Sequence, residues 1–347
     1  MLAAIWVTTS CNMACRYCYE GMAKPNKFMT LETADKTIEY LNWHLRKVGD
    51  NRLIINYHGG EPLMNYEVIR YMTNRLREYY RDDPSVKVMF GLTTNGLLLD
   101  REKIDFLSEF FDYSLSVSID GTRESHDCNR VLLGGQGTYD LITAKISAFL
   151  RSRSDIRARI TITTRTVGSL YDNVKHLIDL GFSIIVPYAD LFDPRWDEQH
   201  MEVLNRELDK IAALLCDLRM RNKEVSVGLV HTIDWKKKGL CTGGTKTIHV
   251  DPEGHLFPCA YAVGRDRYWI GSVQIGIDRT RHKALCSQYV IKNEVCAGCT
   301  HYSECVGPRC KIINEVITGD PHLPSAVLCN IESIRHRIMR KYPELSQ

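Results

Sequence analysis

Up to residue 221 the sequence alternates short apolar runs with amphipathic stretches, and this alternation restricts the fold more than any other feature. Ala3–Thr9, Leu53–Tyr57, Val86–Thr93, Tyr113–Ile119, Ala158–Thr164 and Ser183–Pro187 read as six strands. Between and after them, Ala34–Val48, Tyr66–Tyr80, Arg101–Phe110, Thr138–Arg151, Leu170–Leu180 and Glu198–Arg221 have helical periodicity, the first behind a capping-type Thr30-Leu31-Glu32-Thr33. Strands that alternate with helices form a parallel α/β sheet. A closed barrel takes eight such repeats, and six are present. Near Asn222 the helices stop and cysteine and glycine become frequent, so the expected domains are 1–221 and 222–347.

The first strand runs into Cys11-x3-Cys15-x2-Cys18. Iron–sulfur clusters are held by thiolates, commonly four to a cubane, so three close cysteines can hold three irons and leave the fourth open. A zinc knuckle or buried thiols are the alternatives; zinc prefers paired cysteines, and the next cysteine is Cys128 and the nearest histidine His44. The second concentration is Cys241, Cys259, Cys286, Cys296, Cys299, Cys305, Cys310 and Cys329; Cys128 and Cys216 stand apart and read as small buried side chains. A zinc ribbon on Cys296, Cys299, Cys305 and Cys310 would leave Cys241, Cys259 and Cys329 idle. Val250–Cys259 reads as a hairpin around Pro252 and Gly254, and Glu332–Lys341 as a basic helix.

Thirteen cysteines without an export signal point to metal in the cytoplasm and away from disulfides. A net charge of +3, with Lys236-Lys237-Lys238 as the only basic run, gives no footprint for nucleic acid. No apolar stretch approaches the roughly 20 residues of a membrane span.

Cys11, Cys15 and Cys18, with Tyr17 before the last, resemble the cluster loop of the radical S-adenosylmethionine (radical SAM) superfamily. That resemblance implies an open, partial (β/α)6 TIM barrel and a [4Fe–4S] cluster whose open iron binds S-adenosylmethionine. Reductive cleavage then yields a 5′-deoxyadenosyl radical. Gly59-Gly60-Glu61-Pro62 is similar to the family's GGEP motif at the methionyl amino group. Ser118 and Arg130 match positions that bind the methionyl carboxylate, Thr94 and Asn95 border the ribose, and Tyr17 borders the adenine. Asp120 closes the fourth strand within the same motif. The later cysteines resemble the SPASM extension with two auxiliary [4Fe–4S] clusters. By position, Cys296, Cys299, Cys305 and Cys329 would hold the outer cluster and Cys241, Cys259 and Cys310 the inner one. The gap before Cys310 is one residue longer than usual; Cys286 is a fourth inner ligand or, the favoured reading, a free thiol.

The resemblance implies a maturase of a ribosomally made precursor peptide, forming a thioether or carbon–carbon crosslink, with an electron donor such as flavodoxin or ferredoxin. Because the first strand begins at residue 3, leader recognition is expected to need a separate leader-recognition protein, the tail, or none at all. A sulfatase-type protein maturase is the alternative and would need a base, for which Asp190 and Asp193 are the most accessible candidates. A small-molecule dehydrogenase and a non-catalytic electron-transfer protein remain as further readings.

Overall fold

The computed structural model describes residues 1–21, 25–231 and 237–345. Lys236 of the basic run lies outside the described residues. In chain order the elements are β1 (Leu2–Thr8), α1 (Leu31–Lys47), β2 (Arg52–Gly59), α2 (Tyr66–Tyr79), β3 (Lys87–Thr94), α3 (Arg101–Phe110), β4 (Ser114–Ser118), α4 (Arg123–Asp127) and α5 (Tyr139–Ser152). They continue with β5 (Arg157–Ile162), α6 (Leu170–Asp179), β6 (Ile184–Ala189), α7 (Glu198–Met220), β7 (Ser226–Val227), β8 (Thr247–Val250) and β9 (His255–Phe257). The last are β10 (Gly271–Ser272), β11 (Gly276–Ile277), α8 (Arg279–Tyr289), α9 (Lys311–Thr318) and α10 (Ala326–Lys341).

The six expected strands and six expected helices are all present, within a few residues of their expected ends. Thr30 caps α1, its side chain accepting from Thr33 N. The chain divides into two compact units, one of Met1–Asn12, Glu20–Leu115 and Leu240–Val290, the other of Met13–Tyr19, Ser116–Gly239 and Ile291–Gln347. Each unit takes residues from both sides of Asn222.

In the first unit β1 pairs in parallel with β2 on one side and β8 on the other, and β2 pairs with β3. One face of these strands, with Ile5, Ile55, Tyr57 and Phe90, is buried, as are Leu41 and Leu45 of α1 and Ile69 and Met72 of α2. At about 25 cal/mol per Å2 such apolar burial dominates stability. The expected hairpin forms: β8 pairs antiparallel with β9 through Val250↔Leu256, and Gly254 takes a φ of +86 in its turn.

In the second unit β4, β5, β6 and β7 pair in parallel in that order. α10 lies along α7, where Arg337 donates to Asn205 and Asp209. α10 begins at Ala326, not Glu332, because the helix starts directly after Pro324-Ser325 and so takes Cys329 into its first turns. No described helix is long and apolar enough to cross a membrane.

Candidate functional site

The glycines that end β2 are fixed by a backbone approach. Gly60 N donates to Thr8 O at 3.2 Å and Glu61 N to Ser10 O at 2.8 Å, which joins the end of β2 to the stretch carrying Cys11. A Cβ on Gly59, at φ +136, would lie 2.1 Å from Thr8 O, and one on Gly60 2.3 Å from Ser10 O. No other residue fits either position.

Glu61 is 1% exposed. Its Oε1 accepts from Leu63 N at 3.0 Å and Thr94 Oγ1 at 2.8 Å, and its Oε2 from Asn95 N at 2.7 Å. Burial pushes its pKa up to about 7 against these three bonds, which favour the charged form. Glu61 is therefore first a brace that holds the ends of β2 and β3 together, with acceptor capacity left over for a cation. Pro62 opens the turn that follows. Asn95 Nδ2 donates to Asn12 Oδ1 at 2.8 Å and lies 3.9 Å from Cys11 Sγ.

In the second unit, Asp120 follows β4 and is 1% exposed. Its Oδ1 accepts from Thr161 N at 2.9 Å; its Oδ2 accepts from Tyr17 Oη at 2.6 Å and lies 3.1 Å from Arg130 Nε. The Arg130 contact is an ion pair without hydrogen-bond alignment. Burial opposes the Arg130 charge, but the Asp120 carboxylate outweighs it and holds the guanidinium ionised. Burial is also the chief reason that the Tyr17 hydroxyl stays neutral. The Arg130 guanidinium sits 5.2 Å from the Tyr17 ring centroid. Cys15 and Cys18 flank this ring on a segment tied down by Ala14 N to Val131 O at 2.8 Å and Arg16 N to Asn129 O at 2.9 Å.

The residues around Arg130 are structural. His126 Nδ1 accepts from Asp120 N at 3.3 Å, and burial lowers its pKa to about 3, so it is neutral. Asp127 Oδ1 accepts from Thr138 N and Tyr139 N, closing the loop that carries Arg130. Ser118 ends β4, half-buried. Sequence reasoning missed Arg165, whose Nη2 bonds Cys128 O at 3.0 Å and Asn129 Oδ1 at 2.8 Å; no motif marks it.

Neither base candidate is openly accessible. Asp193 is 7% exposed and bound by Arg195 and Thr164, and those bonds hold its carboxyl well below the usual range. Asp190 is half-buried, caps Phe192 N at 3.0 Å and is raised by burial, so it is the better proton acceptor of the two. Cys128 and Cys216 are half-buried, Cys216 beside Glu344 at 3.1 Å.

All thirteen cysteines are described and none forms a disulfide. Cys296, Cys299, Cys305 and Cys329 belong to one unit. Burial raises Cys296, Cys305 and Cys329, and neighbouring thiols of the same four push each further. A single zinc ion, with Zn–S bonds of about 2.3 Å, gathers its sulfurs to within about 4.6 Å of one another. Among the described residues, the only three metal-ligating groups with ligand atoms within 4.8 Å of one another are Asp251, Glu253 and His255. The wider spread of the thiols fits a polynuclear cluster.

The Radical SAM superfamily profile matches residues 5–182, just over half of the chain. The chain belongs to that superfamily. It is 23% identical over 330 residues to the cysteine-type anaerobic sulfatase-maturating enzyme of Clostridium perfringens strain 13, covering 88% of this chain and 87% of the relative. Its fold matches that of native anSMEcpe solved with AdoMet and the Kp18Cys peptide, with a TM-score of 0.79, 19% identity and coverage of 99% and 98%. It also matches Streptococcus suis SuiB bound to its precursor peptide SuiA, with a TM-score of 0.65, 14% identity and coverage of 94% and 75%. The fold is thus the parallel partial barrel of this superfamily with a cysteine-rich C-terminal part.

Proposed function

We propose that this chain is a radical SAM maturase that functionalises an unactivated C–H bond in a precursor peptide, forming a thioether or carbon–carbon crosslink. The observation that carries the peptide reading is the extent of the fold match. The chain, tail included, aligns with two proteins solved with a peptide bound, over 99% and 94% of its length.

On this reading Cys11, Cys15 and Cys18 hold the first [4Fe–4S] cluster. With S-adenosylmethionine bound, it supplies a 5′-deoxyadenosyl radical on reduction by flavodoxin or ferredoxin in the cytoplasm. The chain's own residues hold the cofactor in place. The backbone of Gly59 and Gly60 and the spare acceptor of Glu61 meet the methionyl amino group. Arg130, oriented by Asp120 and Tyr17, meets the carboxylate beside Ser118, since paired guanidinium donors match two oxygens. Thr94 and Asn95 border the ribose. Residues 222–347 form the auxiliary-cluster domain, with Cys296, Cys299, Cys305 and Cys329 on the outer cluster and Cys241, Cys259 and Cys310 on the inner one.

The relation to the Clostridium perfringens enzyme favours a second reading, oxidation of a cysteine in a sulfatase segment, with Asp190 as the base. Anaerobically reconstituted protein is incubated with S-adenosylmethionine, reductant and either a precursor peptide encoded beside the gene or a cysteine-containing sulfatase peptide. The crosslinking reading expects peptide-dependent 5′-deoxyadenosine and a precursor lighter by two hydrogens. Modification of the sulfatase peptide alone, lost in Asp190→Asn, moves the function to the second reading. Failure of both peptides to be modified overturns the peptide substrate.

A further inference from the structure

A nest of sulfur lies within the first compact unit. Cys241 precedes β8, Cys259 follows β9, and Cys286 sits on α8. We propose that Cys286 is a ligand of the inner auxiliary cluster beside Cys241 and Cys259, which closes that cluster with the chain's own thiolates. The proposal rests on reading the tail as a cluster domain.

Three contacts carry it. Gly243 N donates to Cys241 Sγ at 3.4 Å. Gly243 O lies 3.3 Å from His282 Nε2, and the same Nε2 lies 3.3 Å from Cys286 Sγ. A carbonyl only accepts, so the proton sits on His282 Nε2, where it is also offered to the Cys286 sulfur. His282 thus links the Cys241 loop to Cys286. The loop is shaped to admit that ring: a Cβ on Gly244, at φ +79, would fall 2.5 Å from His282 Nε2.

Tyr289 is the independent observation. It lies three residues after Cys286, on the same helix face. It is 6% exposed, and its hydroxyl has the Cys241, Cys286 and Cys259 thiols for neighbours, with Cys241 the one within hydrogen-bonding reach. A weakly accepting thiol is a poor partner for a buried hydroxyl, and a sulfur-rich anion in the nest would supply a better acceptor. Among the described residues no three of these sulfurs lie within 4.8 Å of one another, a spread that fits a polynuclear cluster. On the reading above, which already assigns Cys310 to the inner cluster, a cluster that also takes Cys286 offers no iron to a substrate thiolate.

The test is anaerobic alkylation read cysteine by cysteine by mass spectrometry, on the reconstituted holoprotein and on the same protein stripped of iron. Cys286 is expected to be protected by iron to the same degree as Cys241 and Cys259, with Cys128 and Cys216 unchanged. Protection of Cys241 and Cys259 but not Cys286 overturns this proposal and leaves the cluster domain standing. Loss of protection at all three overturns the cluster reading and this proposal with it. Because iron removal can loosen α8, a second measurement uses intact clusters. Added 2-mercaptoethanol should leave the paramagnetic resonance of the reduced Cys15→Ala holoprotein, which lacks the open iron of the first cluster, unchanged and perturb that of Cys15→Ala with Cys286→Ala. A response in Cys15→Ala alone overturns the closed cluster.

Discussion

Asp120 gathers partners from three stretches of one unit: Tyr17 before β2, Arg130 after α4 and Thr161 on β5. A buried charge deprived of its partner is worse than no pair at all. Asp120→Ala should therefore lower stability by about 3–5 kcal/mol in urea unfolding. Adding Arg130→Met should recover much of that loss, and a double variant no more stable than the single one contradicts the ion-pair account. Arg130→Ala alone should weaken S-adenosylmethionine binding by about 1.5–3 kcal/mol in equilibrium dialysis, the range for a bond to a charged group. Glu61 gives a pH signature. Its pKa of about 7 exceeds the ordinary 4.5, so between those values the folded chain keeps a proton that the unfolded chain has lost. Stability of the cofactor-free protein should fall by about 3 kcal/mol as pH rises through that window, then level off, at about 1.4 kcal/mol per pH unit. Urea midpoints that do not fall in that window would refute it, and Glu61→Gln should flatten the curve.

At the scale of elements, the two glycines after Tyr57 and His58 act as a clasp between β2 and the cysteine loop. Gly60→Ala should push the Ser10 carbonyl away and displace Cys11, whereas Gly239→Ala, with nothing within 4 Å, should be silent. The readout is 5′-deoxyadenosine formation; equal rates in both variants would show that the clasp does not position the loop. The barrel strands were legible because each is a short, mostly apolar or alternating run bounded by turns, such as Leu53–Tyr57 or Tyr113–Ile119, whose burial needs no knowledge of its partners. β8 was legible as half of a hairpin, since Asp251–Gly254 is a local turn. Its second pairing, to β1, was not, because register between distant segments leaves no local pattern. The helix start at Ala326 was missed because Cys329 and Asn330 interrupt the apolar spacing.

At the scale of the whole molecule, the proposed cysteine sets predict the metal content. The reconstituted protein should hold about three cubanes, and iron for about one, or stoichiometric zinc, would remove the tail clusters. The site was legible where it is written as spacing, in the three cysteines and the glycine pair. It was not legible in the Asp120 hub, the Glu61 brace or the nest at Cys286, where the meaning of a residue depends on neighbours far away in sequence. The β1–β8 ladder also bears on how the protein is made. Leu2 is paired with Thr247 and Ile5 with Val250, so one flank of β1 stays bare on the ribosome until those residues emerge. At about 5–20 residues per second that wait lasts roughly ten to fifty seconds, with an unsatisfied strand edge open to any other nascent chain. The cysteine-rich tail is thus also the cover for the first strand, and a chain interrupted before it should depend on a chaperone to stay in solution.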